Sequence, residues 1–342
     1  MKDLKLTYSP YTLKLKKSFF TARTEIKERK GFILRLTDAD GFEGIGDCCP
    51  FPEFGSESIE DVENVVSDFK LKVIINETEI EKSINNCLLN YNKLPALRHG
   101  LEQAIINIIC NKNKTTIDNL LNLKLKNRVN VNAAIGFLNV EESVKAARNH
   151  IEKGFTTIKL KIGRSNFEED FSVIKLIRET FGKNIKLRTD SNGNWNLDEA
   201  IINLRALEQF DIEYAEQPVN NLSDYIKLKK KTNIPLAPDE SIRSVKDAKE
   251  FIKSGAVSYL ILKPMMIGGM LPTLEIIKQA LTENIIPVIT SSFESAVGKT
   301  NAVIAAATVK VIVAHGLGVA DHFINTITND PFPIKSGKII LS

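Results

Sequence analysis

The chain has 342 residues, 43% apolar and 26% charged, with a formal net charge of +4, a balance that excludes disorder and collagen-like repeats and suits a globular enzyme with one large core or two smaller ones. The basic residues are spread over lysine-rich helices such as 227–231, which read as solvated faces and not as the clustered, aromatic-interleaved footprint of a nucleic-acid binder. No stretch approaches the roughly 18 consecutive apolar residues of a membrane span, and the start MKDLKLTYSP lacks the apolar region of a signal peptide, so a cytoplasmic protein without nucleic-acid or membrane partners is expected.

Residues 1–125 read as an α+β domain. Alternating apolar positions in 32–36 (FILRL) and 41–46 (GFEGIG) flank an Asp/Gly-rich turn at Asp38-Ala39-Asp40-Gly41, the pattern of a β-hairpin. Helical periodicity follows at 57–72, 78–89 and 97–112. The four cysteines, Cys48, Cys49, Cys87 and Cys110, are few and lack zinc-type spacing, which fits a reducing compartment. Cys48 and Cys49 lie in the turn GIGDCCP, where a packing role and exposure to a pocket are both open.

From Val129 the pattern alternates strictly between strand and helix. Strands are expected at 129–135, 157–162, 185–189, 213–216, 236–239, 259–263, 287–290 and 311–314, and helices at 140–153, 167–181, 197–209, 222–231, 244–254, 270–283 and 298–309. Asn196 and Ser244 supply side-chain oxygens suited to N-caps. Eight strands and seven helices make a (β/α)7β barrel over 126–320. The tail 321–342, ending in Ile339-Ile340-Leu341, is expected to leave it and pack on the first domain.

Charged residues stand at the ends of the apolar runs. Lys161, Asp190, Glu216, Asp239 and Lys263 are separated by 29, 26, 23 and 24 residues, each interval one helix, two loops and the next strand. In a βα barrel the C-terminal strand ends converge on one mouth, so residues scattered along the chain become neighbours in one pocket. Asp190, Glu216 and Asp239 offer three hard oxygen ligands, half the octahedral shell of Mg2+, with Mn2+ as the alternative. Alone, each would equally well cap a helix or pair with a lysine. Glu240, next to Asp239, points elsewhere by strand alternation and is expected to support the ligands from behind.

In IKLKI, period-2 alternation puts Lys159 and Lys161 on the inward face of the second strand, where an ammonium is costly without a task. Burial and positive neighbours are expected to lower their pKa toward that of a general base. Lys263, in LILKPMMIGG, stands across the mouth. A metal between opposed lysines suits proton abstraction α to a carboxylate, because both stabilise the enediolate formed.

KLK, the spaced Asp/Glu/Asp and the later lysine resemble the enolase superfamily, specifically its muconate-lactonizing subgroup, over essentially the whole chain. This implies a capping α+β domain over a (β/α)7β barrel; a Lys or His base with Mg2+ is a generic feature of such sites. KPMMIGG, TSSFESAVG (290–298) and AHGLGVADHF (314–323) resemble the o-succinylbenzoate synthase family. That resemblance implies Mg-dependent syn dehydration of 2-succinyl-6-hydroxy-2,4-cyclohexadiene-1-carboxylate in menaquinone biosynthesis. Lys161 would remove the α-proton and then assist loss of the hydroxyl, and Lys263 would stabilise the enediolate. It further implies a supporting Asn192 in the DxN pattern and capping loops at 21–25 and 48–54. Arg188, two before Asp190, is either a substrate contact or a structural ion pair. Ser291, Ser292, Gly316 and Gly318 either line the pocket wall or serve turns, and His315 precedes the GLG turn.

Three other readings stand beside the synthase. A dipeptide epimerase would use Lys161 and Lys263 as opposed acid and base, but that family usually carries a DxD element where this chain reads GVADHF. An N-succinylamino acid racemase shares the same lysine pair. A binding protein that lost turnover is the remote case, since every expected acid, base and ligand is present. In each, the partner is a small-molecule carboxylate; the sequence sets no oligomeric state.

Overall fold

The computed structural model describes residues 4–20, 25–69, 71, 73–76, 78–318 and 322–341. Strands β1 (Lys5–Phe20), β2 (Glu25–Thr37) and β3 (Glu43–Cys48) form an antiparallel sheet in that order. The expected hairpin is the β2–β3 pair, in register from Phe32↔Cys48 to Thr37↔Glu43. Asp38 closes its turn by accepting the N–H groups of Asp40 and Phe42 at 3.0 and 2.9 Å. The long β1 went unread in the sequence. Its Pro10 argues against a strand, yet β1 is an edge strand, where a missing N–H is tolerated.

Helices α1 (Ile59–Val66), α2 (Ile80–Cys87), α3 (Pro95–Asn113) and the short α4 (Ile117–Leu120) follow. The helix expected over 57–72 stops at Val66, and Leu71 instead bridges to Leu4. Helix α3 is buried along most of its length against β3. A Cβ on Gly46 would sit 1.9 Å from the Gly100 carbonyl oxygen, so the approach of strand to helix requires glycine there.

The barrel begins with β4 (Arg128–Val131) and β5 (Ala133–Ile135), one expected strand interrupted at Asn132. It continues through α5 (Val140–Glu152), β6 (Thr157–Lys161), α6 (Phe167–Phe181), β7 (Lys186–Asp190), α7 (Leu197–Leu207), β8 (Ile212–Glu216) and α8 (Leu222–Leu228). The second half comprises β9 (Leu236–Ala237), α9 (Val245–Ser254), β10 (Tyr259–Leu262), the short α10 (Pro264–Ile267), α11 (Met270–Thr282), β11 (Ile286–Ile289), α12 (Ala296–Thr308) and β12 (Ala314–His315). Strands β5 to β9 pair in parallel, as do β10 with β11 and β12 with β4. Backbone bonds from Ile261 to Pro238 and from Gly316 to Ile289 join these segments, so the ring closes. This is the expected (β/α)7β barrel. Asn196 and Ser244 cap α7 and α9, accepting from Glu199 and Asp247.

The last strand starts later than the sequence suggests. Val311 and Ile312 look like strand residues, but Ile312 is 80% exposed in the preceding connection, and pairing begins at Ala314. Beyond the barrel, Phe323 bridges to Leu15 and Ile324 donates to the Lys14 carbonyl. The chain then returns as a hairpin, β13 (Ile334–Lys335) and β14 (Lys338–Ile340), with β14 antiparallel to β4. Among the described residues no helix is long and apolar enough to cross a membrane.

Candidate active site

Register builds the site. Lys161, Asp190 and Glu216 are consecutive Cα partners across β6, β7 and β8, and Asp239 lies just beyond Ala237, the partner of Glu216 on β9. Four charged groups therefore stand in one row at the C-terminal strand ends. Lys159, one step deeper on the same face of β6, sends its long side chain up to the row. Its Nζ donates to Asp190 Oδ2 at 3.0 Å and to Glu216 Oε1 at 2.8 Å. Lys161 Nζ donates to Asp190 Oδ2 at 2.6 Å and to Asn192 Oδ1 at 2.7 Å. Lys263, which follows β10 and stands at the N-cap of α10, ion-pairs with Asp239 across the mouth. Its ammonium also lies 5.3 Å from the centre of the Phe54 ring, which arrives from the first domain.

Lys159, Lys161, Lys263, Asp190, Asp239 and Asn192 line one cavity of about 210 Å3. Asn192 has the left-handed backbone (φ 47°) tolerated by asparagine, and its Nδ2 donates to Glu240 Oε1 at 2.6 Å. It thus links Lys161 to Glu240.

The electrostatics differ from the expectation for Lys159. Burial works against the charge of Lys159, but Asp190 and Glu216 outweigh it and hold the ammonium well above the usual lysine range. Lys263 is raised in the same way, with Asp239 and Glu240 overcoming burial. Direct pairing with carboxylates decides the sign. Burial pushes Asp190 up, but Lys159 and Lys161 pull it well below the carboxylate range. Glu216 moves the other way: burial first, then the charge of Asp190, drives it well above that range.

Two expected substrate contacts lie elsewhere. Arg188 is fully buried, in the row Lys159–Arg188–Tyr214, one layer below the carboxylates. It donates to Glu213 Oε2 (2.6 Å), Asn132 Oδ1 (3.1 Å) and the Ala314 carbonyl (2.8 Å) and lies over the Tyr214 ring, outside the cavity lining. The sequence gives the face of a strand residue but not its depth. Ser292 is also buried away from the lining, whereas Ser291, Gly316 and Gly318 are part of it. A Cβ on Gly316 would meet Thr290 Cγ2 at 2.7 Å, so glycine lets the ends of β11 and β12 touch. His315 faces the core, its Nδ1 accepting the Ile289 N–H at 3.0 Å. Cys48 and Cys49 are buried, and burial raises both thiols, Cys49 to about 11. Residues 21–24 of one expected capping loop and 319–321 of GVADHF lie outside the described residues.

The sequence reading missed Asn132, Thr290 and Phe293 in the wall, as well as a group around His150. Asn132 left a trace, as the polar residue interrupting VNVNAAI. The others have none beyond their neighbourhood in sequence.

Comparison with known proteins reads the same architecture. Residues 142–342 match the family model of the enolase C-terminal domain-like fold. The chain belongs to the enolase superfamily. Residues 6–78 match the model of the o-succinylbenzoate synthase N-terminal domain. The chain is 26% identical over 326 residues to an L-Ala-D/L-Glu epimerase of Francisella tularensis subsp. novicida, covering 94% of this chain and 89% of that protein. It is 27% identical over 277 residues to the o-succinylbenzoate synthase of Bacillus subtilis, covering 80% and 73%. Among solved structures, a dipeptide epimerase from Enterococcus faecalis, complexed with Mg and the dipeptide L-Leu-L-Tyr, superposes with a TM-score of 0.89 at 25% identity, covering 100% of this chain and 98% of that one.

That dipeptide epimerase is complexed with Mg, and the donor set here fits such an ion in kind. Asp190, Glu216 and Asp239 offer only hard oxygens from adjacent strands. Glu216 Oε2 is buried without a hydrogen-bond partner, as is Glu240 Oε2 behind it. Among the described residues no three His, Cys, Asp or Glu side chains are arranged as a formed metal site, and lysines pair with the carboxylates.

Proposed function

We propose that the chain is an o-succinylbenzoate synthase of menaquinone biosynthesis, a hydro-lyase acting on 2-succinyl-6-hydroxy-2,4-cyclohexadiene-1-carboxylate in the cytoplasm. The observation that carries the chemistry is the placement of Lys161 and Lys263 in one cavity, each held on a different carboxylate of the same site. Lys161 takes the proton from the ring carbon bearing the carboxylate, and the C–H electron pair moves toward the carboxylate oxygens. Lys263 stabilises the charge that collects there. The electron pair then returns to form the new ring double bond, the neighbouring C–O bond breaks, and Lys161 gives its proton to the departing hydroxyl, which leaves as water. One lysine serves both steps because the elimination is syn.

Asp190, Glu216 and Asp239 would hold Mg2+, or Mn2+, with Asn192 and Glu240 behind them. When bound, the ion supplies positive charge next to the developing enediolate. Lys159, spanning Asp190 and Glu216, holds both carboxyl groups in place and favours the ionised form of Asp190. In this reading residues 1–125 form the capping domain and 126–320 the catalytic barrel; of the tail, Phe323 and Ile324 meet the cap at Leu15 and Lys14, whereas the β13–β14 hairpin joins barrel strand β4 and not the first domain as expected.

The match of residues 6–78 to the synthase N-terminal model favours dehydration. A second reading, dipeptide epimerase or N-succinylamino acid racemase, draws on the opposed lysines and on the similar identity to an epimerase. The test is an assay of the purified protein with Mg2+ against the cyclohexadiene substrate, a panel of dipeptides and N-succinyl amino acids. Dehydration faster than any 1,1-proton transfer supports the synthase. Epimerisation of dipeptides without dehydration replaces it.

A further inference from the structure

One buried side chain next to the carboxylate row has no part in the chemistry above. Gln217 directly follows Glu216, is 1% exposed and has the left-handed backbone (φ 42°) that a residue with a side chain seldom adopts. Strain of this kind persists where the surroundings over-determine the residue, and it collects at functional sites. Here the surroundings are hydrogen bonds. The Gln217 N–H donates to the Ala237 carbonyl at 2.8 Å, and the Gln217 carbonyl accepts the Gly193 N–H at 2.7 Å and the Ser191 hydroxyl at 2.9 Å.

The side chain is engaged as fully as the backbone. Its Oε1 accepts the Asp239 N–H at 2.8 Å and the Ser241 N–H at 3.3 Å. Its Nε2 donates to the Val219 carbonyl at 3.0 Å and to Ser241 Oγ at 2.7 Å. A primary amide has two donors and two acceptor positions, and all four are used. Two backbone N–H groups facing one atom identify that atom as the oxygen, so the network itself sets the orientation of the amide.

The partners of Gln217 follow the carboxylates. Ser191 is the residue after Asp190, Glu216 is the residue before Gln217, and Asp239 is held through its own N–H. One residue therefore grips the chain at or beside each of three acids that come from three neighbouring strands. A turn that needed only to be closed would be served by the Val219 link inside its own loop. The links to Ser191 and Asp239 leave that loop on both sides, and they oppose the mutual repulsion of three clustered acids.

We infer that Gln217 is a positioning residue that fixes the spacing of Asp190, Glu216 and Asp239, so that the trio favours Mg2+ over a larger cation. The inference rests on reading that trio as the metal ligands. Mg2+ demands near-ideal octahedral geometry at about 2.0–2.1 Å, whereas Ca2+ accepts looser arrangements at about 2.3–2.6 Å. A rigid frame selects the smaller ion, and a loosened frame loses Mg2+ affinity first.

Calorimetric titration of Mg2+ and of Ca2+ into the substrate-free protein reads this without any turnover. Gln217→Asn tolerates the left-handed backbone but is one methylene short of the Asp239 and Ser241 N–H groups. Its Mg2+ Kd should rise about tenfold or more, while its Ca2+ Kd should change by less than about threefold. Gln217→Glu keeps the length and an acceptor for both N–H groups, and its added charge acts on both cations alike. Its ratio of Ca2+ to Mg2+ Kd should therefore stay within about threefold of the wild-type ratio. A residue that served stability alone would lower the thermal midpoint of the metal-free protein and leave the ratio unchanged. A wild-type ratio in Gln217→Asn, or a ratio lost as fully in Gln217→Glu as in Gln217→Asn, would overturn the positioning role. A wild type that binds neither cation would overturn the metal assignment and this inference together. The expected ratios in a protein that fails to dehydrate the cyclohexadiene substrate would overturn the proposed reaction alone.

Discussion

At the scale of single residues, two lysines that share a cavity are expected to fail in different ways. Lys161→Ala removes the group assigned to take and return the proton, so kcat should fall by about 10²–10⁴-fold while Mg2+ binding is retained. Lys263→Ala removes charge stabilisation in the transition state, so kcat and kcat/KM should fall together. Steady-state kinetics with calorimetric metal titration checks both. Normal turnover by Lys161→Ala would remove it as the base, and a change in KM alone for Lys263→Ala would assign that lysine to ground-state binding. Arg188 should behave as neither. It is fully buried and donates to Glu213, Asn132 and the Ala314 carbonyl, so Arg188→Met leaves buried acceptors without their donor, although Lys186 still pairs with Glu213 at 2.7 Å, and should lower stability by about 1–3 kcal/mol in a denaturant titration. The folded fraction should keep its KM. A KM effect without loss of stability would return Arg188 to the substrate contacts.

At the scale of elements, the first domain is locked to the barrel by polar side chains that meet helix starts. Glu102 of α3 accepts the N–H groups of Met270 (2.5 Å) and Leu271 (3.0 Å) at the head of α11. Asp47, at the end of β3, accepts the Ser295 N–H at 2.9 Å and hydroxyl at 2.7 Å at the head of α12, and also the Tyr11 hydroxyl at 2.7 Å. Such carboxylates complement the unpaired N–H groups and positive end of a helix. Asp47 also holds Ser295, two residues beyond Phe293, which with Ser291 lines the cavity, so the lock adjoins the wall. Asp47→Ala should cost about 1–3 kcal/mol for the donors left unsatisfied and should raise KM as the wall loosens. Asp47→Asn should recover part of both, and a thermal melt with a KM measurement tests it. Loss of stability with unchanged KM would confine Asp47 to the lock.

The same elements explain what the sequence could and could not reveal. The lysine and carboxylate row was legible because strand alternation and barrel period both act on sequence distance: Lys159 and Lys161 share a face two residues apart, and the intervals to Asp190, Glu216 and Asp239 count out whole βα units. Tertiary quantities were hidden. Arg188 has the right face and the wrong layer. Val311 and Ile312 have strand composition and no partner strand. His150 and Lys153 read as an ordinary helix end, although they are among the residues lining the cavity that Lys161 and Lys263 also line.

For the whole molecule, acid stability should be governed by two histidines buried as neutral rings. His99 Nδ1 meets the Asp47 carbonyl at 3.0 Å, and its Nε2 meets Asn301 Nδ2 at 3.2 Å. Because the Asn301 amide donates, Nε2 has no room for a proton, and burial, aided by Arg98, holds the pKa down to about 4. His315 accepts the Ile289 N–H, and burial followed by the charges of Lys126 and Arg188 takes it down to about 3. An unfolded histidine binds its proton near pH 6.5, so between that value and the folded pKa the unfolded state carries more protons and stability rises with pH. Each contribution is complete above about 6.5 and is lost as the pH falls through about 4 for His99 and about 3 for His315, roughly 3 and 5 kcal/mol at the full shift. Glu102 and Glu294, raised by burial to about 7, act in the opposite sense: their share is complete below the ordinary glutamate value and is lost as the pH rises through 7. Between about pH 4.5 and 6.5 the two histidines and the two glutamates offset each other, so the thermal midpoint should be nearly flat there and should fall below about pH 4.5, where only the histidines still differ between the folded and unfolded states. His99→Gln, which can still meet the Asp47 carbonyl as a donor but cannot take up a proton, should flatten that acid limb. An acid limb of unchanged slope in His99→Gln would mean that paired carboxylates such as Asp190 set the acid limit instead of the core histidines.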